Sequence, residues 1–279
     1  NQTCKRGTMR LQVFGGSGFV GSEVTRQIEN CLVNARDDYT VKTYDILYLI
    51  STVTNYNVKT DPYIDIDTNL TTLMRVLSQC KDSHLTFNFV SSWFVYGDTE
   101  MPAKEDSYCK PNGFYSITKR CAEQLIISYC ETFNIKYRIL RLANVAGHGD
   151  AKASPQKNAL QHMINELKQN RDVNVYDGGM LYRDYIHVKD AVKAIKLIID
   201  KGEVNTIYNV GNGKALLFKD MIEYAKELIG GTGKLNNIDI PQFHKTVQVK
   251  SMWIDNSKLH NLGYEPDYDM KAIIEDMVK

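Results

Sequence analysis

Glycines at 15, 18 and 21 sit in the run Gly-Gly-Ser-Gly-Phe-Val-Gly, directly after a short apolar stretch over 9–14 and directly before a helical pattern over 22–30. Few local structures need glycine at such a spacing. One glycine takes backbone angles that other residues resist. A second lets a pyrophosphate approach the main chain, and a third lets strand and helix pack closely. The helix that follows presents unpaired N–H groups and a partial positive charge to phosphate. The loop carrying Gly15, Gly18, Phe19, Val20 and Gly21 is therefore expected to hold a dinucleotide. The alternative is a plain glycine-rich turn, since glycines alone are weak evidence without the flanking strand and helix.

The rest of the chain repeats the alternation. Strand patterns start at Cys31 and Ile46 and recur over 85–90 and 137–142, with helical patterns over 68–81, 115–132, 158–170, 189–201, 218–228 and 270–278. Strands alternating with helices imply crossover connections and a parallel sheet. The expected fold is α/β: a Rossmann-like doubly wound sheet built from 1–142 and 187–214, with a smaller lobe from 143–186 and 215–279. One stretch does not fit. Residues 37–45 are too few to hold both a helix and another strand, because a parallel crossover needs about a dozen residues or more. An edge unit after the second strand is expected to be shortened or missing.

Composition excludes several classes of function. The chain of 279 residues carries 34 basic and 33 acidic side chains, so nothing points to nucleic acid or an anionic membrane. Apolar stretches such as 46–50 are far too short to cross a bilayer. The N-terminus has no charged-then-apolar leader; residues 1–8 read as a polar arm before a natural start at Met9. Six scattered cysteines without C-x-x-C spacing read as free thiols of a reducing cytoplasm, and the sequon Asn1-Gln2-Thr3 has no other sign of secretion beside it. His148, His162 and His187 are far apart, so no metal site is expected. Asp177-Gly178-Gly179 is a connecting turn, not a phosphate loop.

After the second strand comes Asn34-Ala35-Arg36-Asp37-Asp38. A guanidinium here suits a 2′-phosphate, so Arg36 points to NADP, with NAD on Asp37 as the alternative and a solvated charged turn as the bland reading. Further on, Tyr115-Ser116-Ile117-Thr118-Lys119 opens a helix and places Tyr115 and Lys119 on one face. A tyrosine is a poor base near neutrality, and a neighbouring ammonium or a nicotinamide cation favours its phenolate. Lys119 can also hold the nicotinamide ribose. With 17 tyrosines in the chain, such a pair also arises by chance. Upstream, a buried strand runs into Ser91 and Ser92, at the kind of strand end where doubly wound sheets bind ligands. A hydroxyl there can bond an oxygen that gains or loses a proton.

Together these runs resemble the NAD-dependent epimerase/dehydratase branch of the extended short-chain dehydrogenases. The glycine loop, Ser91-Ser92-Trp93-Phe94-Val95-Tyr96-Gly97, the Tyr115–Lys119 pair, Arg141-Leu142-Ala143-Asn144-Val145, Arg183-Asp184-Tyr185-Ile186-His187-Val188 and Asp255-Asn256-Ser257-Lys258-Leu259 occur in the family's order. Two of these runs are most similar to UDP-galactose 4-epimerase and its relatives. The resemblance implies that Ser92 is the catalytic serine, Tyr115 the acid/base and Lys119 its partner. It also places Asn69, after the Ser51-Thr52 strand end, near the cofactor, and Asn144 and Arg183 on the phosphates of a nucleotide sugar. On the residues alone, Asn144 and Arg183 read as a loop amide and a surface ion-pair residue.

Departures narrow the chemistry. Where 4,6-dehydratases of the family carry an Asp-Glu pair, this chain has Trp93 and Phe94, so dehydration is not expected and the sugar floor is more apolar. The usual arginine before the late segment is replaced by His244-Lys245-Thr246. The expected activity is hydride transfer at C4 of a nucleotide-linked sugar: epimerisation through a 4-keto intermediate first, then NADPH-dependent reduction of a 4-keto-6-deoxy sugar. A non-catalytic NADP sensor on the same fold is the reading from another class. A homodimer through a four-helix interface, made by the helices over 68–81 and 115–132, follows by family analogy.

Overall fold

All four residues of Leu11–Phe14 (β1) are buried, and β1 has a parallel neighbour on each side. That is the environment of a central strand in a sheet covered on both faces. The computed structural model describes residues 11–42, 44–81, 84–150 and 153–279; the arm over 1–8, Met9 and Cys4 lie outside the described residues.

From β1 the chain turns through the glycines into α1 (Phe19–Gln27), returns as β2 (Cys31–Val33) and crosses to β3 (Asp45–Tyr48). The helix starts at the glycine loop itself, earlier than the apolar spacing implied, and stops before Asn30, whose φ of 60° leaves the helical region. Next come α2 (Tyr63–Ile66) and α3 (Thr72–Leu77), joined by one wide turn over Asp67–Thr71. Here too helix begins early, because the Asp61 carboxylate accepts the Tyr63 N–H at 2.9 Å and Pro62 fits a first turn. The Rossmann part continues with β4 (Thr86–Ser92), α4 (Phe114–Thr132) and β5 (Lys136–Leu142). The chain then leaves the sheet as β6 (Asn144–Ala146), α5 (Ala159–Lys168), β7 (Val173–Tyr176), β8 (Tyr182–Arg183) and β9 (Tyr185–His187). It comes back through α6 (Val188–Lys201) and β10 (Thr206–Val210). It ends with β11 (Leu216–Leu217), α7 (Phe218–Ile229), β12 (Leu235–Ile238), α8 (Gln242–Val247), α9 (Ser257–His260) and α10 (Met270–Val278).

Six described strands form one parallel sheet in the order β10-β5-β4-β3-β1-β2. Alternate residues feed opposite faces. Leu11, Val13, Leu47 and Leu140 pack with α1 and α6, while Ile46, Tyr48, Phe87, Phe89 and Ile139 pack with α3 and α4. A third cluster joins Ala146, Leu160, Val175 and Tyr185 to Met221, Ile222, Ile273 and Ile274. Met252, Ile254, Leu259 and Tyr264 instead return to the core of the sheet.

The shortened edge is present as the sequence implied. β2 ends the sheet, and the described residues between Val33 and Asp45 contain no helix or strand. A buried glutamine does part of a helix's work. Gln12 on β1 donates to Asn34 Oδ1 (2.6 Å) and the Thr40 carbonyl (2.7 Å) and accepts the Lys42 N–H (2.8 Å). From below α3, Gln79 donates to the Tyr39 carbonyl (2.8 Å) and accepts the Val41 N–H (3.2 Å). Tyr39 and Val41 themselves cover the apolar face around Ile46 and Tyr48. Among the described residues no helix is long and apolar enough to cross a membrane.

Candidate active site

The C-terminal ends of β1, β3, β4 and β5 meet along one edge of the sheet, and the chemistry-bearing residues gather there. The glycine turn is tight in the way a phosphate cradle requires. Gly15 has a φ of 89°, and a Cβ on it would press Ile50 N at 3.0 Å. A Cβ on Gly21 would lie 2.2 Å from the Gly15 carbonyl oxygen, so helix and turn approach only because Gly21 has no side chain. Around Gly18 the nearest atom is 3.4 Å away, which leaves its outer side open to a ligand. Phe19 and Val20, half-buried, begin α1. These residues fit a dinucleotide pyrophosphate. Arg36 stands exposed in the turn beyond β2 and has no hydrogen bond or ion pair among the described residues. Its neighbours are engaged: Asp37 accepts the Tyr39 hydroxyl (3.2 Å) and Asp38 the Thr40 N–H (3.0 Å).

Ser51 and Thr52 follow β3 and are tied to α4 through Asn69. Asn69 accepts the Thr52 N–H (2.9 Å) and donates to the hydroxyls of Thr52 (2.8 Å) and Thr118 (2.9 Å). Its amide is spent on the protein, so Asn69 positions the Ser51-Thr52 turn.

Tyr115, in the first turn of α4, is buried and faces the hydroxyls of Ser92 and Ser51. Burial raises its pKa; those two hydroxyls favour the phenolate, and the carboxylate of Asp65 opposes it. One turn further along α4, the Lys119 ammonium donates to the Val90 carbonyl at 2.8 Å and lies 4.0 Å from the Phe89 ring centroid. Burial pushes it down to about 7, against the pull of Glu123.

Glu123, which spacing did not single out, completes the ladder Tyr115, Lys119, Glu123 along α4. It accepts from Ser91 (2.6 Å), Arg141 (2.9 and 3.1 Å) and Arg120 (2.7 Å). This separates the two serines: Ser91 is committed to Glu123, while Ser92 faces Tyr115. Ser92 also accepts the Phe94 N–H (3.3 Å), which fixes the turn carrying Trp93 and Phe94.

Those aromatics form a continuous floor. Trp93 and Phe94 stack at 4.0 Å, and Phe94 meets Tyr115 edge-on at 5.6 Å. The Trp93 indole donates to Asn144 Oδ1 (3.2 Å), and the Arg183 guanidinium lies 5.5 Å from its ring. So Asn144 and Arg183, 39 positions apart, both meet Trp93. Arg183 donates to the carbonyls of Tyr182 (2.9 Å), Val249 (2.7 Å) and Lys250 (2.7 Å), and burial lowers it to about 10. Beside it, Asp184 is pushed up to about 7 by burial although it accepts N–H groups of Asn212, Gly213 and Ile254.

The late segment closes the other side. Lys245 is exposed, whereas His244 turns inward to share a 2.6 Å hydrogen bond with the Tyr56 hydroxyl. Burial, then the charge of Arg183, lowers His244 to about 4. Asn55 donates to the Val247 carbonyl (2.9 Å) and to Ser116 (3.0 Å), tying this segment to α4. Nothing in the local sequence marks Tyr56 or Asn55, because their partners lie far along the chain.

A family profile described as NAD dependent epimerase/dehydratase family matches residues 33–211. The chain belongs to this family of enzymes. A relative in Methanocaldococcus jannaschii, described as a putative UDP-glucose 4-epimerase, is 26% identical over 96% of this chain and 97% of its own length. Among solved structures, UDP-glucuronic acid 4-epimerase of Bacillus cereus in complex with UDP-glucuronic acid and NAD has the same fold, with a TM-score of 0.85, 19% identity and coverage of 97% and 98%. RMD of Pseudomonas aeruginosa, complexed with NADPH, is similar at a TM-score of 0.82 with 21% identity and coverage of 97% and 98%.

Proposed function

We propose that the protein acts at C4 of a nucleotide-linked sugar, epimerising it through a 4-keto form. One observation carries the reading: Ser92, Ser51 and Tyr115 converge at the sheet edge, with the glycine turn on one side and the Trp93–Asn144–Arg183 group on the other. A bound nicotinamide dinucleotide supplies hydride acceptance and return. The chain supplies the rest. Tyr115 takes the proton of the C4 hydroxyl and gives it back, and Ser92 holds the same oxygen. Arg183 and Asn144 hold the diphosphate, Arg183 exchanging carbonyl partners for charge-assisted bonds. Trp93 and Phe94 present no carboxylate, so elimination of water has no acid or base at that position. The names of the Methanocaldococcus and Bacillus relatives support the epimerase reading.

A second reading is reduction of a nucleotide-linked 4-keto-6-deoxy sugar by NADPH. It is favoured by the short crossover, which leaves the adenosine end without a covering helix, and by Arg36, the uncommitted cation of that turn. Incubation with nucleotide sugars and their 4-keto-6-deoxy derivatives, with NAD and NADP in parallel and absorbance of the reduced cofactor followed, separates the two. Product without net cofactor change supports the epimerase; stoichiometric consumption of NADPH supports the reductase. Bound cofactor without turnover, and no effect of Tyr115→Phe, supports a sensor. The reading includes a homodimer through the helices over 68–81 and 115–132, with Ile117 and Leu125 of α4 exposed; light scattering reads the mass.

A further inference from the structure

Gly113 opens α4 without a capping side chain, although Tyr115 stands in the first turn of that helix. A Cβ on Gly113 would lie 2.5 Å from Asn55 Oδ1, so the place of a cap is taken by a residue from the loop after β3. The Asn55 side-chain oxygen accepts the Ser116 N–H at 3.1 Å, the donor that a cap residue at 113 would otherwise satisfy. Asn55 and Ser116 are both fully buried, so water cannot substitute for either partner.

The other end of the same amide reaches a different element. Asn55 Nδ2 donates to the carbonyl of Val247, the last residue of α8, at 2.9 Å. The next residue repeats the contact: Tyr56 shares its 2.6 Å hydrogen bond with His244 of α8, and its ring meets Phe243 at 5.1 Å. Past α8, the Val249 and Lys250 carbonyls accept the Arg183 guanidinium at 2.7 Å each. The segment 242–250 thus touches Arg183 at one end and, through the Asn55 amide, the first turn of α4 at the other. An amide suits that place because it faces an N–H and a carbonyl at once; a carboxylate would serve only the N–H.

We propose that Asn55 is a positioning residue for Tyr115 that couples it to the substrate side: the first turn of α4 is held in place only while the segment 242–250 is docked. A ligand that draws Arg183 from the Val249 and Lys250 carbonyls is then felt at Tyr115 through the Val247 carbonyl and the Asn55 amide. Binding of the part of the substrate remote from the reacting carbon so contributes to rate and not only to affinity. The inference rests on Tyr115 being the acid/base of the proposed function, but the coupling itself is measured without turnover.

Hydrogen exchange is followed at the Ser116 amide and over 242–250 in the parent, His244→Ala, Asn55→Asp and the double variant. His244→Ala removes the bond to Tyr56 and loosens the segment with Asn55 in place. It is expected to speed exchange by about tenfold over 242–250 and at Ser116 alike, while amides over 122–130 keep their rates. Asn55→Asp keeps an acceptor for the Ser116 N–H but sets a carboxylate oxygen against the Val247 carbonyl. In that background His244→Ala is expected to leave Ser116 within about twofold. An unmoved Ser116 in His244→Ala overturns the proposal, as does equal acceleration of Ser116 in the two backgrounds. If Asn55→Asp fails to fold, His244→Ala alone decides. Where a nucleotide sugar is turned over, His244→Ala is expected to lower kcat about tenfold beside Asn55 and about twofold in the Asn55→Asp background, with KM rising alike in both. Equal losses of kcat would overturn the coupling. Coupled exchange with no effect of Tyr115→Phe on turnover would sink the proposed function and leave the link through Asn55 standing.

Discussion

Tyr115 and Lys119 work from positions that oppose their own charges. Both are buried, and burial raises the phenol and brings the ammonium down to about 7. If Tyr115 is the acid/base, Tyr115→Phe lowers kcat/KM by about two to four powers of ten while cofactor affinity, read by fluorescence titration, stays within a few-fold. Lys119 gives a stability prediction with a definite sign. Its folded pKa lies below its unfolded value, so the folded state carries the cost of a buried ammonium below pH 7 and is relieved of it as pH rises from about 7 towards 10.5. Lys119→Met is therefore expected to gain roughly 2–4 kcal/mol over the parent at pH 6 and much less at pH 9, in denaturant unfolding at both pH values, while losing activity. At this scale the sequence was legible wherever chemistry followed local spacing. Tyr115 and Lys119 share a helical face, and the glycines share a turn. Asp65, Tyr56 and His244 were not legible: Tyr56 meets His244 from 188 positions away, and Asp65 shows its character only through an oxygen that finds no donor.

The crossover between β2 and β3 shows the same limit one scale up. Counting residues was enough to see that a helix and strand could not fit, because chain length bounds a crossover whatever its side chains do. What replaces the helix could not be counted. Gln12 is a polar residue in a strand that is otherwise apolar, and only the fold shows that its amide reaches across the face of the sheet to Asn34, Thr40 and Lys42. Removing that amide takes a donor from the Thr40 carbonyl, which keeps only the Asn34 amide, and the acceptor from the Lys42 N–H, both at part-buried bonds. Gln12→Ala is expected to cost about 1–3 kcal/mol in denaturant unfolding, and to speed hydrogen exchange over 38–42 more than in β4. If the short crossover governs cofactor exchange, the same substitution weakens NADP binding without changing the pH dependence of turnover. Equal exchange rates in the parent and the variant over 38–42 would count against the clamp.

At the scale of the molecule, the third apolar cluster is assembled from distant pieces, and its integrity depends on where the last helix docks. Ile273, Ile274 and Met277 of α10 enter the cluster of Ala146, Leu160 and Tyr185, while Asp276 makes the polar link. Its carboxylate accepts the His148 N–H at 2.8 Å and meets His187 Nε2 at 2.9 Å, and His187 is stacked on Tyr268 at 3.6 Å. Burial works to raise Asp276, but the His148 N–H and the His187 ring outweigh it and hold the acid down to about 2. A carboxyl whose folded pKa lies below its unfolded value of 3.8 contributes stability that is present above that value and lost as pH falls towards 2. The contribution is about 2 kcal/mol. Asp276→Asn is thus expected to be less stable by about that amount at pH 7, and the gap between the two proteins should close between pH 4 and pH 2. Because β8 and β9 carry Arg183 and His187 only a few residues apart, loosening α10 should also weaken binding of a nucleotide diphosphate more than binding of the dinucleotide at the glycine turn. Calorimetric titration of both ligands against Asp276→Asn tests this; an equal loss for the two would mean that the last helix supports the whole fold rather than this cluster alone.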